Sequence, residues 1–186
     1  LDEMAYWETL ESGKPISQAK GEIEAAADHY EAAAGMARMI TGETHNGYGE
    51  GMMGLVTKQP IGVVALITPW NFPFIVLAER LPFILAAGCS VILKPSELTS
   101  TTSLIFADIL AQAGLPKGVY NVVTGIGPEV GEAMSTHMDI DMISFTGSTA
   151  VGERVLEASK SNLKKVGLEL GGKNPQIVFA DANLDD

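Results

Sequence analysis

Glu169 stands in LELGGKNP (168 to 175), a carboxylate between an apolar run and two glycines. Neighbours of this kind exclude water from part of the carboxylate, and partial desolvation raises its pKa toward the range of a useful general base. The plainer reading is a solvated carboxylate at a strand end. Asn71 lies in TPWNFP (68 to 73) between two prolines that fix the turn, so its amide can point at one atom. An asparagine amide suits an oxyanion hole, where charge develops on a carbonyl oxygen; an Asx-type turn is the alternative, with Trp70 as packing. The one cysteine, Cys89 in AAGCSVILK, starts an apolar strand at the end opposite these clusters. It reads as a small buried hydrophobe and a poor nucleophile.

Two further clusters suit an anionic, ribose-bearing ligand. In FTGSTAVG (145 to 152), Gly147 allows close backbone approach, and Ser148 either bonds a phosphate oxygen or caps the following helix. In KPSE (94 to 97), Glu97 stands after the second strand, where dinucleotide-binding folds place an acidic residue against a ribose diol. A carboxylate there repels a 2′-phosphate and favours NAD over NADP; a helix-start glutamate interacting with the dipole is the alternative. Lys94 either bonds the same ribose or is a solvated strand-end lysine. GIGPEVG (125 to 131) departs from the common dinucleotide fingerprint because its third glycine falls one residue late, and no cluster ends in the GK[ST] of a phosphate-cradling Walker loop.

These residues need elements to position them. VVALI (63 to 67), SVILK (90 to 94), VYNVV (119 to 123) and MISF (142 to 145) are short apolar strands, each followed by a helical pattern of ~10–15 residues. The alternation predicts an α/β chain with a Rossmann-like, doubly wound parallel sheet. KKVGLEL (164 to 170) and QIVFA (176 to 180) supply one or two more strands. Every polar cluster follows a strand, so all the turns fall along one sheet edge, where ligands bind. Residues 17 to 40 carry Ile23, Ala26, Ala27 and Tyr30 at helical spacing, with Gly42 as the helix C-cap. Residues 44 to 54 read as a Gly-rich connector. The division is a helical segment over 1–50 packed on a dinucleotide-binding domain over 51–186.

Of the 186 residues, 46% are hydrophobic and the formal charge is −11. That balance suits one sizeable core and argues against nucleic acid or an anionic membrane as partner, since both need clustered cations. A single cysteine excludes a disulfide framework and points to the cytosol; His29, His45 and His137 lack metal-ligand spacing. The apolar run 81 to 93 is shorter than the ~20 residues of a membrane span. The start, LDEMAYWETL, has no basic n-region, and the tail, DANLDD, has no closing element, so the chain reads as a piece of a longer protein.

Taken together and in order, PWNFP, KPSE, GIGP, FTGS and LELGGK resemble the NAD(P)-dependent aldehyde dehydrogenase superfamily, and the resemblance extends over the whole chain to ETLESGKP near its start. It implies that Ile67, Thr68, Pro69, Trp70 and Asn71 line the cofactor's path, with Asn71 in the oxyanion hole. Lys94, Ser96 and Glu97 would hold the adenosine ribose, and Gly127 and Gly131 would border the adenine. Phe145, Thr146, Gly147, Ser148 and Val151 would underlie the pyrophosphate and nicotinamide, with Leu170 and Gly171 beside the nicotinamide and Glu169 as general base. The implied cofactor is NAD, with NADP as the alternative; the implied partners are a small-molecule aldehyde and further copies of the chain, as a dimer or tetramer.

In that superfamily a cysteine thiolate attacks the aldehyde, hydride passes to NAD, and a glutamate activates water to release the acid. The family's cysteine lies further along than this chain extends, so these residues alone are expected to be inactive. A non-catalytic dinucleotide-binding or structural protein on the same fold is a competing reading. A relative that transfers the acyl group or reduces a semialdehyde is another, against which the presence of Glu169 argues.

Overall fold

The computed structural model describes residues 1–183; the tail expected to lack a closing element lies outside the described residues from Leu184 onward. The chain opens with α1 (Asp2–Ser12) and α2 (Ile16–Met36). Gly13 ends α1 in the left-handed region at φ 77°, which a side chain would strain, and Lys14 and Pro15 lead directly into α2. Along α2, Ala19, Ile23, Ala26 and Ala33 are buried at helical spacing. Tyr30 packs partly buried against the same core, whereas Ala27 is exposed.

The helix stops at Met36, short of the expected Ile40, and Gly42 is not its cap. Gly42 instead serves a strand pair, β1 (Glu43–His45) with β2 (Gly54–Val56), which run antiparallel through part of the expected connector. A Cβ on Gly42 would lie 2.2 Å from the Val56 carbonyl oxygen, so the close strand approach selects glycine there.

Next come β3 (Val63–Ile67), α3 (Pro73–Ala78), α4 (Leu81–Ala86), β4 (Ser90–Lys94), α5 (Thr101–Gln112) and β5 (Tyr120–Val122). A π-helical turn (Gly127–Gly131) then runs into α6 (Glu132–Thr136). Last are β6 (Met142–Gly147), α7 (Thr149–Ala158), a 3-10 turn (Ser159–Ser161) and β7 (Lys165–Leu170). Two crossings differ from the expected single helix of ten or more residues. Pro82 cannot continue the helix begun at Pro73, so that crossing splits into α3 and α4, each opening with proline in its first turn. The crossing after β5 is the π turn plus a five-residue helix.

The five long-range strands form one parallel sheet in the order β5-β4-β3-β6-β7. The chain starts at the centre, winds out through β4 and β5, then crosses back to β6 and β7. This is the doubly wound arrangement, with its switch point between β3 and β6. One face packs Leu66, Val91 and Leu93 against α1 to α5 through Phe74, Leu77, Leu81 and Phe106. The other packs Ala65, Ile67, Ile143 and Phe145 against Met134 of α6 and Val155 of α7. QIVFA is not a strand: Ile177, Val178 and Phe179 are exposed, with neither a ladder partner nor a covering element among the described residues.

Two carboxylates one turn apart on α1 organise the helices of the first face. The Phe74 N–H at the start of α3 donates to Glu8 Oε1 at 2.8 Å, and the Thr101 N–H at the start of α5 donates to Glu11 Oε2 at 3.2 Å. Neither Phe72 nor Ser100, the residues preceding these helices, supplies a side-chain cap, so α1 satisfies helix ends that lack one of their own.

Candidate active site and cofactor groove

The parallel register sets the site out in rows. Ile67 pairs with Lys94 on one side and Phe145 on the other, and Phe145 pairs with Leu168. Laterally paired residues of a parallel ladder share a face, so this row looks toward α6 and α7. The next row, Thr146 with Glu169, faces the opposite side, and the row after it, Gly147 with Leu170, returns to the first. Glu169 is therefore displaced from the groove residues by the pleat.

On the α6–α7 side, a groove of about 130 Å³ is lined by Ile67, Lys94, Gly127, Gly131, Phe145 and Val151, six of the residues singled out from sequence. A Cβ on Gly127 or Gly131 would meet nothing within 4 Å, so these glycines leave room toward the groove instead of relieving a contact. Pro128, Glu132, Ser135, Arg154 and Val155 complete the lining. Arg154 and Val155 follow Val151 at helical spacing, a signal that extending the period from Val151 would have found. Arg154 Nη2 and Glu132 Oε2 lie 3.1 Å apart, tying α7 to α6. The end of α6 is held by buried Lys164, whose Nζ donates to the Ser135 carbonyl at 3.0 Å and to Ser161 Oγ at 2.9 Å. Burial lowers the pKa of Lys164.

Lys94 is only 3% exposed, which excludes the solvated strand-end reading. Its Nζ donates to the Pro95 carbonyl at 2.9 Å and lies 3.6 Å from Oε2 of the exposed Glu97. It carries a cation into an otherwise mainly apolar lining. Ser96 is turned to local work, its Oγ accepting from the Leu98 N–H at 3.3 Å.

FTGS resolves into packing and capping. Ser148 Oγ accepts from the Val151 N–H at 3.4 Å, the helix-cap alternative. A Cβ on Gly147 would strike the Phe145 ring at 2.5 Å. The Thr149 and Ala150 N–H groups begin α7, where first-turn donors have no intrahelical acceptor.

The turn after β3 stays at the same edge. Thr68 N–H donates to the Lys94 carbonyl at 3.2 Å, extending the ladder one step past Ile67. Among the described residues, Thr68 Oγ1 and Thr146 Oγ1 are both buried without a hydrogen-bond partner. Pro69 is half-buried, while Trp70 and Asn71 are exposed, so Trp70 is not packing here. Among the described residues the Asn71 side chain makes no hydrogen bond, which removes the Asx-turn alternative. Glu169, Leu170 and Gly171 lie at the exposed end of β7, so the desolvation expected for Glu169 is not supplied by the described residues. Leu170 packs where Gly152 of α7 has no side chain; a Cβ there would lie 2.5 Å from Leu170 Cδ2. Cys89 is buried immediately before β4, at the opposite end of the sheet from the groove.

A doubly wound parallel sheet with glycine-lined turns at its carboxyl edge defines a nucleotide-binding class of α/β protein. The aldehyde dehydrogenase family profile matches residues 1–186, and the chain belongs to that family. It is 45% identical over 187 residues to aldehyde dehydrogenase family 2 member C4 of Arabidopsis thaliana, covering 100% of this chain and 37% of that protein. It is 45% identical over 184 residues to the succinate-semialdehyde dehydrogenase [NADP(+)] GabD of Escherichia coli, covering 99% of this chain and 38% of that protein. The crystal structure of an NAD-dependent aldehyde dehydrogenase from Sinorhizobium meliloti superposes with a TM-score of 0.92 at 53% identity, over 99% of this chain and 37% of that one. The chain thus spans little more than a third of the length of the relatives it matches. No helix among the described residues is long and apolar enough to cross a membrane.

Proposed function

We propose that this chain is the cofactor-binding portion of an aldehyde dehydrogenase that oxidises an aldehyde to a carboxylic acid with NAD. The observation that carries the reading is the convergence of Ile67, Lys94, Gly127, Gly131, Phe145 and Val151 on one groove at the carboxyl edge that also bears Asn71 and Glu169. The groove fits a flat nucleotide ring: its lining is mainly apolar, and the glycines leave free space toward it. When bound, the nicotinamide cofactor supplies the hydride acceptor.

In this reading Gly127 and Gly131 border the adenine, and Lys94, Ser96 and Glu97 face the ribose. Thr68, Pro69, Trp70, Phe145, Thr146, Gly147, Ser148, Val151, Leu170 and Gly171 border the rest of the path. The Asn71 amide donates to the oxyanion formed when a cysteine thiolate adds to the aldehyde carbonyl. That cysteine comes from outside residues 1–186, since Cys89 is buried at the wrong end of the sheet. A Glu169 carboxylate oxygen then takes a proton from the water that attacks the enzyme-bound acyl group, and the carbon–sulfur bond breaks to release the acid. In the same reading residues 1–50, helical only through Met36 and tied to 51–186 by the β1–β2 pair, pack on the dinucleotide-binding domain of 51–186. Assembly into dimers or tetramers and a cytosolic site belong to the same reading.

The test is Glu169→Gln in the full-length protein. The first turnover of NADH should remain while steady-state acid release falls by roughly 10²- to 10⁴-fold, the usual contribution of a general base. Undiminished acid release would sink the role of Glu169, and a full-length protein without a nucleophilic cysteine near this edge would favour the non-catalytic reading.

A further inference from the structure

Beneath the Asn71 turn lies a buried cluster of charges that the proposed chemistry does not use. Glu8 of α1 has a fully buried side chain, that of Lys14 is 7% exposed, and that of Glu22 on α2 is 13% exposed. Lys14 Nζ lies 3.5 Å from Glu8 Oε2, pairs with Glu22, and stands 4.8 Å over the centre of the Phe72 ring. Glu8 Oε1 accepts the Phe74 N–H at 2.8 Å. The cluster therefore grips the chain on both sides of Pro73, through the Phe72 ring and the Phe74 amide. Asn71 is the residue immediately before the first of these grips, and among the described residues its own side chain makes no hydrogen bond. Burying three charges is a poor way to gain stability, because desolvation offsets the attraction, whereas it fixes geometry well.

We infer that Glu8, with Lys14, is a positioning residue for Asn71: the α1–α2 corner holds the Phe72–Phe74 segment so that the Asn71 amide meets the developing oxyanion. This deepens the proposed function and rests on its reading of Asn71. Removing the grip lets the amide drift, and a misplacement of about 1 Å is worth up to ~10²-fold in rate.

The experiment uses the full-length enzyme and the pre-steady-state rate of NADH formation, with equilibrium NAD binding as control. Asn71→Ala should slow that rate by roughly 10²- to 10³-fold, as loss of one oxyanion donor does. Glu8→Ala should slow it by about 10- to 100-fold without changing the Kd for NAD. Glu8→Gln, whose amide oxygen still accepts the Phe74 N–H, should recover most of the loss. In the Asn71→Ala background, Glu8→Ala should cost nothing further. If the Glu8→Ala factor persists undiminished in that background, or moves NAD affinity equally, the inference is overturned while the Asn71 reading stands. An Asn71→Ala enzyme of normal rate overturns both. Should Glu8→Ala not fold, Lys14→Met, which keeps the apolar stem over Phe72, carries the same cycle with the same outcomes.

Discussion

The Phe145 ring occupies the space that a side chain on Gly147 would need: a Cβ at Gly147 would lie 2.5 Å from Phe145 Cζ and 3.1 and 3.2 Å from the two Cε atoms. Phe145 belongs to the buried core between the sheet and α7, so its ring cannot swing aside without opening that core. It also lines the groove. Gly147→Ala should therefore destabilise the fold by about 1–3 kcal/mol through overpacking. It should also push the ring into the groove, and a cost of about 1.4 kcal/mol there would weaken NAD binding about tenfold. Thermal unfolding and an NAD titration of the full-length variant check both. A lowered midpoint with unchanged affinity would confine Gly147 to packing.

Local patterns in the sequence carried the sheet, its winding and the edge on which the polar turns gather, because alternation of apolar strands with helices is a short-range signal. Half of the groove came instead from the resemblance of the ordered turn motifs to the aldehyde dehydrogenase family, which implied Ile67, Gly127, Gly131, Phe145 and Val151. Long-range relations were not legible. The caps on α3 and α5 come from Glu8 and Glu11, 66 and 90 residues away along the chain, and nothing near Phe74 or Thr101 announces them. Gly42 looks like a helix stop until the Val56 carbonyl is placed against it. Likewise the sequence leaves Lys94 open between a ribose ligand and a solvated strand-end lysine, and only its burial in the assembled fold removes the second.

Glu8 makes the stability of this region pH-dependent. Burial pushes its pKa above the ordinary value of 4.5, outweighing the Lys14 cation and the Phe74 N–H that pull it down, and Glu22 adds to the rise. The folded state then holds the proton more tightly than the unfolded chain, so unfolding releases protons at pH values between the ordinary and the raised pKa. This contribution to stability is full below 4.5 and is lost as pH rises through the raised folded value. Glu8→Gln removes the titration, so the wild-type unfolding midpoint should fall relative to that of Glu8→Gln as pH is raised from about 4.5 toward neutrality. A wild type that instead gains on the variant would mean that the Lys14 attraction outweighs burial. The expected sign fits a cluster that holds geometry at some expense in stability.

Glu97 offers the test of cofactor choice. Its carboxylate is about half exposed and 3.6 Å from Lys94 Nζ, so the lysine screens part of its charge without cancelling it. A ribose 2′-phosphate at this edge would meet that carboxylate, and two unit charges ~4 Å apart repel by about 1 kcal/mol in water and more in a less polar setting. Glu97→Gln should therefore raise NADP affinity relative to NAD by at least about fivefold, the equivalent of 1 kcal/mol. Lys94→Met should weaken both cofactors, because the ribose is common to them. The Glu97→Gln shift should shrink as salt is added, since an exposed charge is screened within about 8 Å at physiological ionic strength. Titrating both cofactors at two salt concentrations reads the result directly. A wild type that prefers NADP, or a variant with an unchanged ratio, would separate Glu97 from the choice of cofactor.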